Sequence, residues 1–262
     1  MTTISDDRVA DEGLRRPNHS MPASVVAVTF RPWAGWAARA AIVGRARSRT
    51  DPSRGRFTRA DLRRLLDSTW TKFSRLAPDL PAEPTVGSRQ NVALAALTLA
   101  MFQALLEEDV ERAYAVELVG DACWKVYAQW GRLPRLLSHL KSRDPLQRMR
   151  TSVNLFLRFP FNPPGYLFEN RPEPHGRALD IHRCPVADYL VSQGAGDLAV
   201  GSWCNLDFEL ARMWGGTLER SGSLAGGAPL CDFRFKVATP SVTAVGLPLH
   251  RVDQSRGALQ VS

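Results

Sequence analysis

From Val92 to Leu106 the chain is almost wholly apolar, interrupted only by Thr98 and Gln103. This window is shorter than the roughly 20 residues a membrane span needs, so it reads as a helix that its neighbours must cover on every side. A chain built around such a segment needs a multilayered core. At 262 residues and 44% hydrophobic it has the material for one large domain or two small ones.

Helical signals surround that segment. Thr58 followed by Asp61 has capping-box spacing, and Leu62, Leu65, Leu66, Trp70 and Phe73 then recur on one face. The central helix is expected from Asn91 to Glu107. Asp109 is expected to cap the next, which carries Tyr114, Val116, Leu118, Val119, Cys123, Val126 and Tyr127 and stops at Gly131. Shorter helices are expected at 134–140 and 145–149, and near the N-terminus a short strand at 25–30 precedes a short helix at 33–43.

The pattern changes after Val153. Phe159-Pro160-Phe161-Asn162-Pro163-Pro164-Gly165-Tyr166 is too broken by proline for a long element and reads as a fixed turn packing its rings into the core. Residues 177–181 read as a strand, 185–193 as a helix, 198–203 as extended and 205–214 as a helix. A strand pair at 216–221 and 230–237 spans a glycine-rich connection. The expected fold class is α+β, with helices from about Thr58 to Met149 packed on a mainly antiparallel sheet drawn from 155–237. Residues 1–22 are expected to be a tail, 23–239 a single domain and 240–262 an extension.

The net charge of +8 comes largely from residues 31–64, where ten arginines face only Asp51 and Asp61. No helix-turn-helix, zinc-finger or RNP pattern accompanies them, so neither nucleic acid nor membrane is expected as a partner. The first residues are acidic where a secretory leader is basic, so the expected location is cytoplasmic and the thiols are expected to be reduced. The glycines at 222, 226 and 227 lack the Lys-Ser/Thr ending of a phosphate loop, and no nucleotide cofactor is expected.

Chemistry is concentrated in 179–235. Three of the four cysteines fall there, in Ile181-His182-Arg183-Cys184-Pro185, Cys204-Asn205-Leu206-Asp207 and Cys231-Asp232-Phe233-Arg234. A buried cysteine is often a small hydrophobe, which is the expectation for Cys123. Three thiols beside carboxylates fit a nucleophile with a proton carrier, or a metal site. If Cys204 opens a helix, the dipole favours its thiolate while Asp207 opposes it. A zinc site built from the three thiols and His182 is the competing arrangement. Without a Cys-x-x-Cys pair it has weak spacing support, so the expectation is no metal or other cofactor.

The same residues carry a resemblance. His182-Arg183-Cys184-Pro185-Val186-Ala187-Asp188-Tyr189, Trp203-Cys204-Asn205-Leu206-Asp207, Leu218-Glu219-Arg220 and Cys231-Asp232-Phe233 resemble the bacterial L-2-amino-thiazoline-4-carboxylate hydrolase family. The upstream Gly87-Ser88-Arg89 helix and the 159–166 loop extend the likeness to about 57–236. Arg220-Ser221-Gly222-Ser223-Leu224 departs from an Arg-Thr-x-Thr-Leu pattern. The resemblance implies hydrolytic opening of a C–N or C–S bond in a small cyclic amidine that bears a carboxylate. It implies catalysis by Cys204, Cys231 or Cys184 with Asp207 or Asp232, and substrate binding by Arg220, Asn205 and His182. The C-terminal region also resembles the 4-vinyl reductase type of ligand-binding domain. A non-catalytic sensor and a natural-product tailoring enzyme are therefore the alternatives. Oligomeric state is left open.

Overall fold

The computed structural model describes residues 23–237; the tail expected at 1–22 and the extension expected at 240–262 lie outside the described residues. The architecture is α+β, with a helical half preceding a four-stranded antiparallel sheet of order β1-β2-β4-β3. Helix α1 spans Ala23–Ile42, α2 Arg59–Leu76, α3 Val86–Glu107, α4 Arg112–Lys141 and α5 Pro145–Arg158. The strands are β1 Leu167–Arg171, β2 Gly176–Arg183, β3 Gly216–Glu219 and β4 Cys231–Val237. Between β2 and β3 lie α6 Pro185–Ser192, α7 Gly196–Ala199, a π-helical turn Val200–Cys204 and α8 Leu206–Met213.

Several expected boundaries give way to tertiary packing. Residues 25–43 form one helix, α1, instead of a strand and a short helix. Val26, Phe30, Ala37, Ala38, Ala41 and Ile42 fall on one buried stripe, and Pro32 sits on the solvent side where its lost N–H is least costly. The central helix starts at Val86, five residues before the expected start, because Thr85 and Ser88 make a reciprocal cap. At 22 residues α3 is long and apolar enough to cross a bilayer, yet 72% of its most apolar window is buried inside the fold. Helix α4 runs unbroken through Gly131 and Pro134 for 30 residues. Gly131 is there for close packing: a Cβ would meet Leu210 Cδ2 at 2.5 Å, and its carbonyl accepts the Trp214 indole N–H at 3.0 Å. Helix α5 continues to Arg158, so the sheet begins at Leu167 and not near 155. Residues 198–203 are helical and π-helical, not extended.

The basic segment between α1 and α2 folds back on the protein's own carboxylates. Arg45 reaches Glu117 at 2.5 Å and Asp121 at 2.9 Å, and Arg47 reaches Asp61 at 2.9 Å and Glu108 at 2.7 Å. Arg49 pairs with Glu117 and stacks over Tyr114. This part of the positive run is an internal clasp.

Two hydrophobic clusters result, one among the helices and one under the sheet, where α5 and α8 pack against Leu179, Phe233 and Phe235. The 159–166 loop seats on the start of α3. Gly87 has no side chain because the Pro160 carbonyl occupies the place a Cβ would take, and Asn91 donates to the Tyr166 hydroxyl at 2.8 Å. Phe161 and Tyr166 thus turn inward while Phe159 turns out to solvent. Glu83, 3% exposed, takes two hydrogen bonds from Arg183, at 2.6 and 3.2 Å, and Arg183 also donates to the Gly165 carbonyl. This pair ties the end of β2, and so Cys184, to the loop and to the connector before α3.

Arg183→Met should therefore destabilise the fold by about 3–5 kcal/mol in urea denaturation, because it strands a buried carboxylate. Adding Glu83→Leu should recover most of the loss. An unchanged single variant would show that the pair does not hold this corner.

Candidate active site

Strand pairing decides which side chains face inward. Ile181 pairs with Cys231, Asp180 with Asp232 and Leu179 with Phe233. Side chains alternate across a strand. Cys231, Phe233 and Phe235 therefore point at the helices, while Asp232 and Arg234 lie on the outer face with Asp180 and His182. Beneath the inner face lies a chamber of about 100 Å³. The sheet, α5, the 159–166 loop, α4 and the π-turn–α8 run enclose it, and its walls are mostly aromatic and aliphatic.

Five chemically active side chains line it: Cys184, Cys204, Cys231, Asp207 and Arg220. Cys184 follows β2 at the start of α6. Cys204 closes the π-helical turn, Asp207 lies in the first turn of α8, and Arg220 follows β3. Cys204 does not open a fresh helix. The π turn runs straight into α8, so the expected helix-start geometry is absent.

Arg220, only 6% exposed at its side chain, lies over Phe208 at 4.9 Å and Phe233 at 5.5 Å. Its Nη1 donates to the Cys204 carbonyl at 3.0 Å and lies 3.7 Å from Asp207 Oδ2. Among the described residues its other N–H groups have no hydrogen-bond partner. Burial pushes the Asp207 carboxyl up to about 7, against the opposing pull of Arg220. The 23% exposure of the Asp207 side chain fits its place on the chamber wall.

The three thiols are not equivalent. Burial drives Cys184 far above the ordinary range, and Cys204 beside it adds to the shift. Burial pushes Cys204 up to about 12, with Arg220 opposing and Asp207 reinforcing. Cys231 is also raised by burial, but the Leu224 amide donates to its sulfur at 3.2 Å and Arg220 lies near. Both favour the thiolate. Cys123 lies away from the chamber, where burial raises it to about 11 beside Thr98, as expected of a core thiol.

The remaining candidates lie elsewhere. Asp232 accepts hydrogen bonds from the Ser221 and Gly222 amides, both at 2.9 Å, and from the Ser221 hydroxyl at 2.6 Å. Against the cost of burial, these hold its carboxyl below the usual range. It shapes the turn after β3. His182 is 40% exposed at its side chain and lies 3.8 Å from Glu169. The chain turns after Arg183, so His182 and Cys184 do not share a face. Asn205 joins the π turn to α8, makes no capping bond and does not line the chamber. Among the described residues, no group of three or more His, Cys, Asp or Glu side chains is placed to hold a metal ion.

Two wall residues have no role assigned from the sequence, although Trp203 opens one of the motifs that carry the resemblance. Tyr127 reads as a core position of α4, and Trp203 as part of an extended segment. Their rings, 6.4 Å apart, form the wall between the chamber and a second cavity of about 90 Å³ among α1, α3 and α4.

Neither the curated proteins nor the solved structures contain a significant match to this chain. A family model described as L-2-amino-thiazoline-4-carboxylic acid hydrolase matches residues 90–235. That span holds every active side chain of the chamber and both rings of its partition, while α1 and α2 lie outside it. The chain belongs to the L-2-amino-thiazoline-4-carboxylic acid hydrolase family.

Proposed function

We propose that the chamber opens a small cyclic amidine bearing a carboxylate, with Cys231 as nucleophile, Asp207 as proton carrier and Arg220 as the carboxylate's partner. The observation that carries this reading is that Cys231, Asp207 and the buried Arg220 share one mostly apolar chamber. The family match supports a hydrolase; the substrate and the cysteine chemistry are this reading's own.

In the free enzyme the thiols are neutral, and Asp207 is the one chamber group that ionises near neutral pH. The unpartnered edge of Arg220 grips the substrate carboxylate with two parallel hydrogen bonds. Asp207 takes the Cys231 proton, and the sulfur adds to the amidine carbon between the ring sulfur and its nitrogens, moving the C=N pair onto nitrogen. The ring bond to the leaving sulfur or nitrogen then breaks, and that atom receives the proton from Asp207. Water adds to the enzyme-bound carbon, gives up a proton to Asp207 and expels the Cys231 thiolate, which recovers it. The Leu224 amide and Arg220 stabilise that leaving thiolate. Cys184 and Cys204 remain neutral thiols in the wall, and the Cys204 carbonyl holds Arg220 in place.

Steady-state kinetics with 2-amino-thiazoline-4-carboxylate test the assignment. Cys231→Ser should lower kcat by at least about 10³-fold while Cys184→Ser keeps most activity. A Cys231→Ser enzyme with near-normal turnover would remove the nucleophile from this scheme.

Asp207 gives two linked expectations. It acts first as a base, so kcat/KM should rise with pH through an apparent pKa near 7. Asp207→Asn should abolish that limb and lower kcat by about 10²–10⁴-fold. The raised carboxyl is favourable to the fold while protonated, and this advantage is lost as pH climbs from about 4 through 7. Asp207→Asn should thus melt later than the natural chain above pH 7, by on the order of 2–4 kcal/mol, and match it near pH 4. A variant less stable at pH 8 would contradict the burial of this charge.

A further inference from the structure

The chamber and the second cavity are close to equal in size and share Tyr127 and Trp203. The chamber already provides the reactive groups and, at about 100 Å³, room for a compact head of about eight to ten non-hydrogen atoms. Among the described residues the second cavity has no charged lining residue. Alanines at 34, 37 and 122 form part of its wall, at positions where larger side chains would close the void. Trp203 links the two spaces. Its indole N–H donates to Thr98 Oγ1 at 3.3 Å on the second cavity's side, and the next residue in the chain is Cys204. Among the described residues the Tyr127 hydroxyl, at the same partition, has no hydrogen-bond partner. A further wall comes from α1, through Phe30, Trp33, Ala34 and Ala37, outside the span that the family shares.

We infer that the substrate is a carboxylate-bearing amidine head carrying an apolar arm, and that the arm passes Tyr127 and Trp203 to lie in the cavity between α1, α3 and α4. This rests on the assignment of the head to the Cys231–Asp207–Arg220 chamber. It adds a specificity element, with α1 setting the size of arm accepted. Turnover of the arm-bearing substrate uses the same steps as the bare head, because the arm takes no part in bond making or breaking.

The test uses 2-(alkylamino)thiazole-4-carboxylates, whose aromatic ring resists hydrolysis, with alkyl groups from methyl to hexyl. Calorimetric titration of the full chain should show Kd falling about threefold to fourfold per methylene over the first carbons, and about 100-fold from methyl to hexyl. Ala34→Phe and Ala122→Leu should each cut the hexyl-to-methyl ratio at least tenfold, with melting curves confirming that the variants are folded. A crystal structure of the natural chain with the hexyl compound should place the arm between α1 and α4, independently of either variant. A Kd that does not change with chain length, or an arm located wholly inside the chamber, overturns the inference. The matching thiazolines separate it from the hydrolytic reading. Length-dependent binding without turnover defeats the hydrolysis and leaves the arm site standing, and turnover without length dependence does the reverse.

Discussion

Among the described residues Arg220 is the only positive charge on the chamber wall, and the arrangement of the site depends on how it is buried. A guanidinium taken out of water is costly unless its N–H groups and its charge are answered. Here Phe208 and Phe233 cover its faces, the Cys204 carbonyl takes one N–H and Asp207 lies across from it at 3.7 Å. That separation is too long for a close ion pair, so Asp207 keeps enough of the burial penalty to titrate near neutrality. A tighter pair would have fixed it as a permanent anion. The same cation lies near Cys204 and Cys231, and each of the three thiols also has a backbone N–H beside it, that of Leu224 donating to Cys231 at 3.2 Å. Burial raises Cys184 and Cys204 the most, which leaves Cys231 as the thiol best suited to leave as a thiolate.

Much of the helical half was legible from local chemistry. Thr58 and Asp61 make the capping box their spacing implies, and the apolar stretch around Val92–Leu106 is the covered core helix. The misreadings share a cause. Gly131 and Pro134 look like a stop, but Gly131 answers to Leu210 and Met213 on α8, which no local window contains. The Val-Gly-Ser-Trp stretch before Cys204 looks extended, yet it winds as a π turn that places Trp203 and Cys204 on the inner side. π-helical turns are frequent at functional sites, and this one falls where two successive residues, Trp203 and Cys204, line the chamber.

The site itself was legible as a set of residue types and motifs, not as a set of directions. Cys184, Cys204, Cys231, Asp207 and Arg220 are brought together as their motifs imply. Asp232 and His182 stand one residue from inward positions and face the other way, because parity along a strand is fixed by the pairing of Ile181 with Cys231. Tyr127 and the second cavity gave no signal, since an aromatic residue on an apolar helix face is the ordinary mark of a core. Only the void behind it distinguishes it.

The most direct test of the chemistry is mass spectrometry of the protein acid-quenched during turnover of 2-amino-thiazoline-4-carboxylate, with peptide mapping of the adduct. The account predicts that the opened substrate is attached to the Cys231 peptide and disappears when the substrate is exhausted. An adduct mapped to Cys184 or Cys204, or active turnover with no adduct at any quench time, would contradict a Cys231 thiolate as the attacking group.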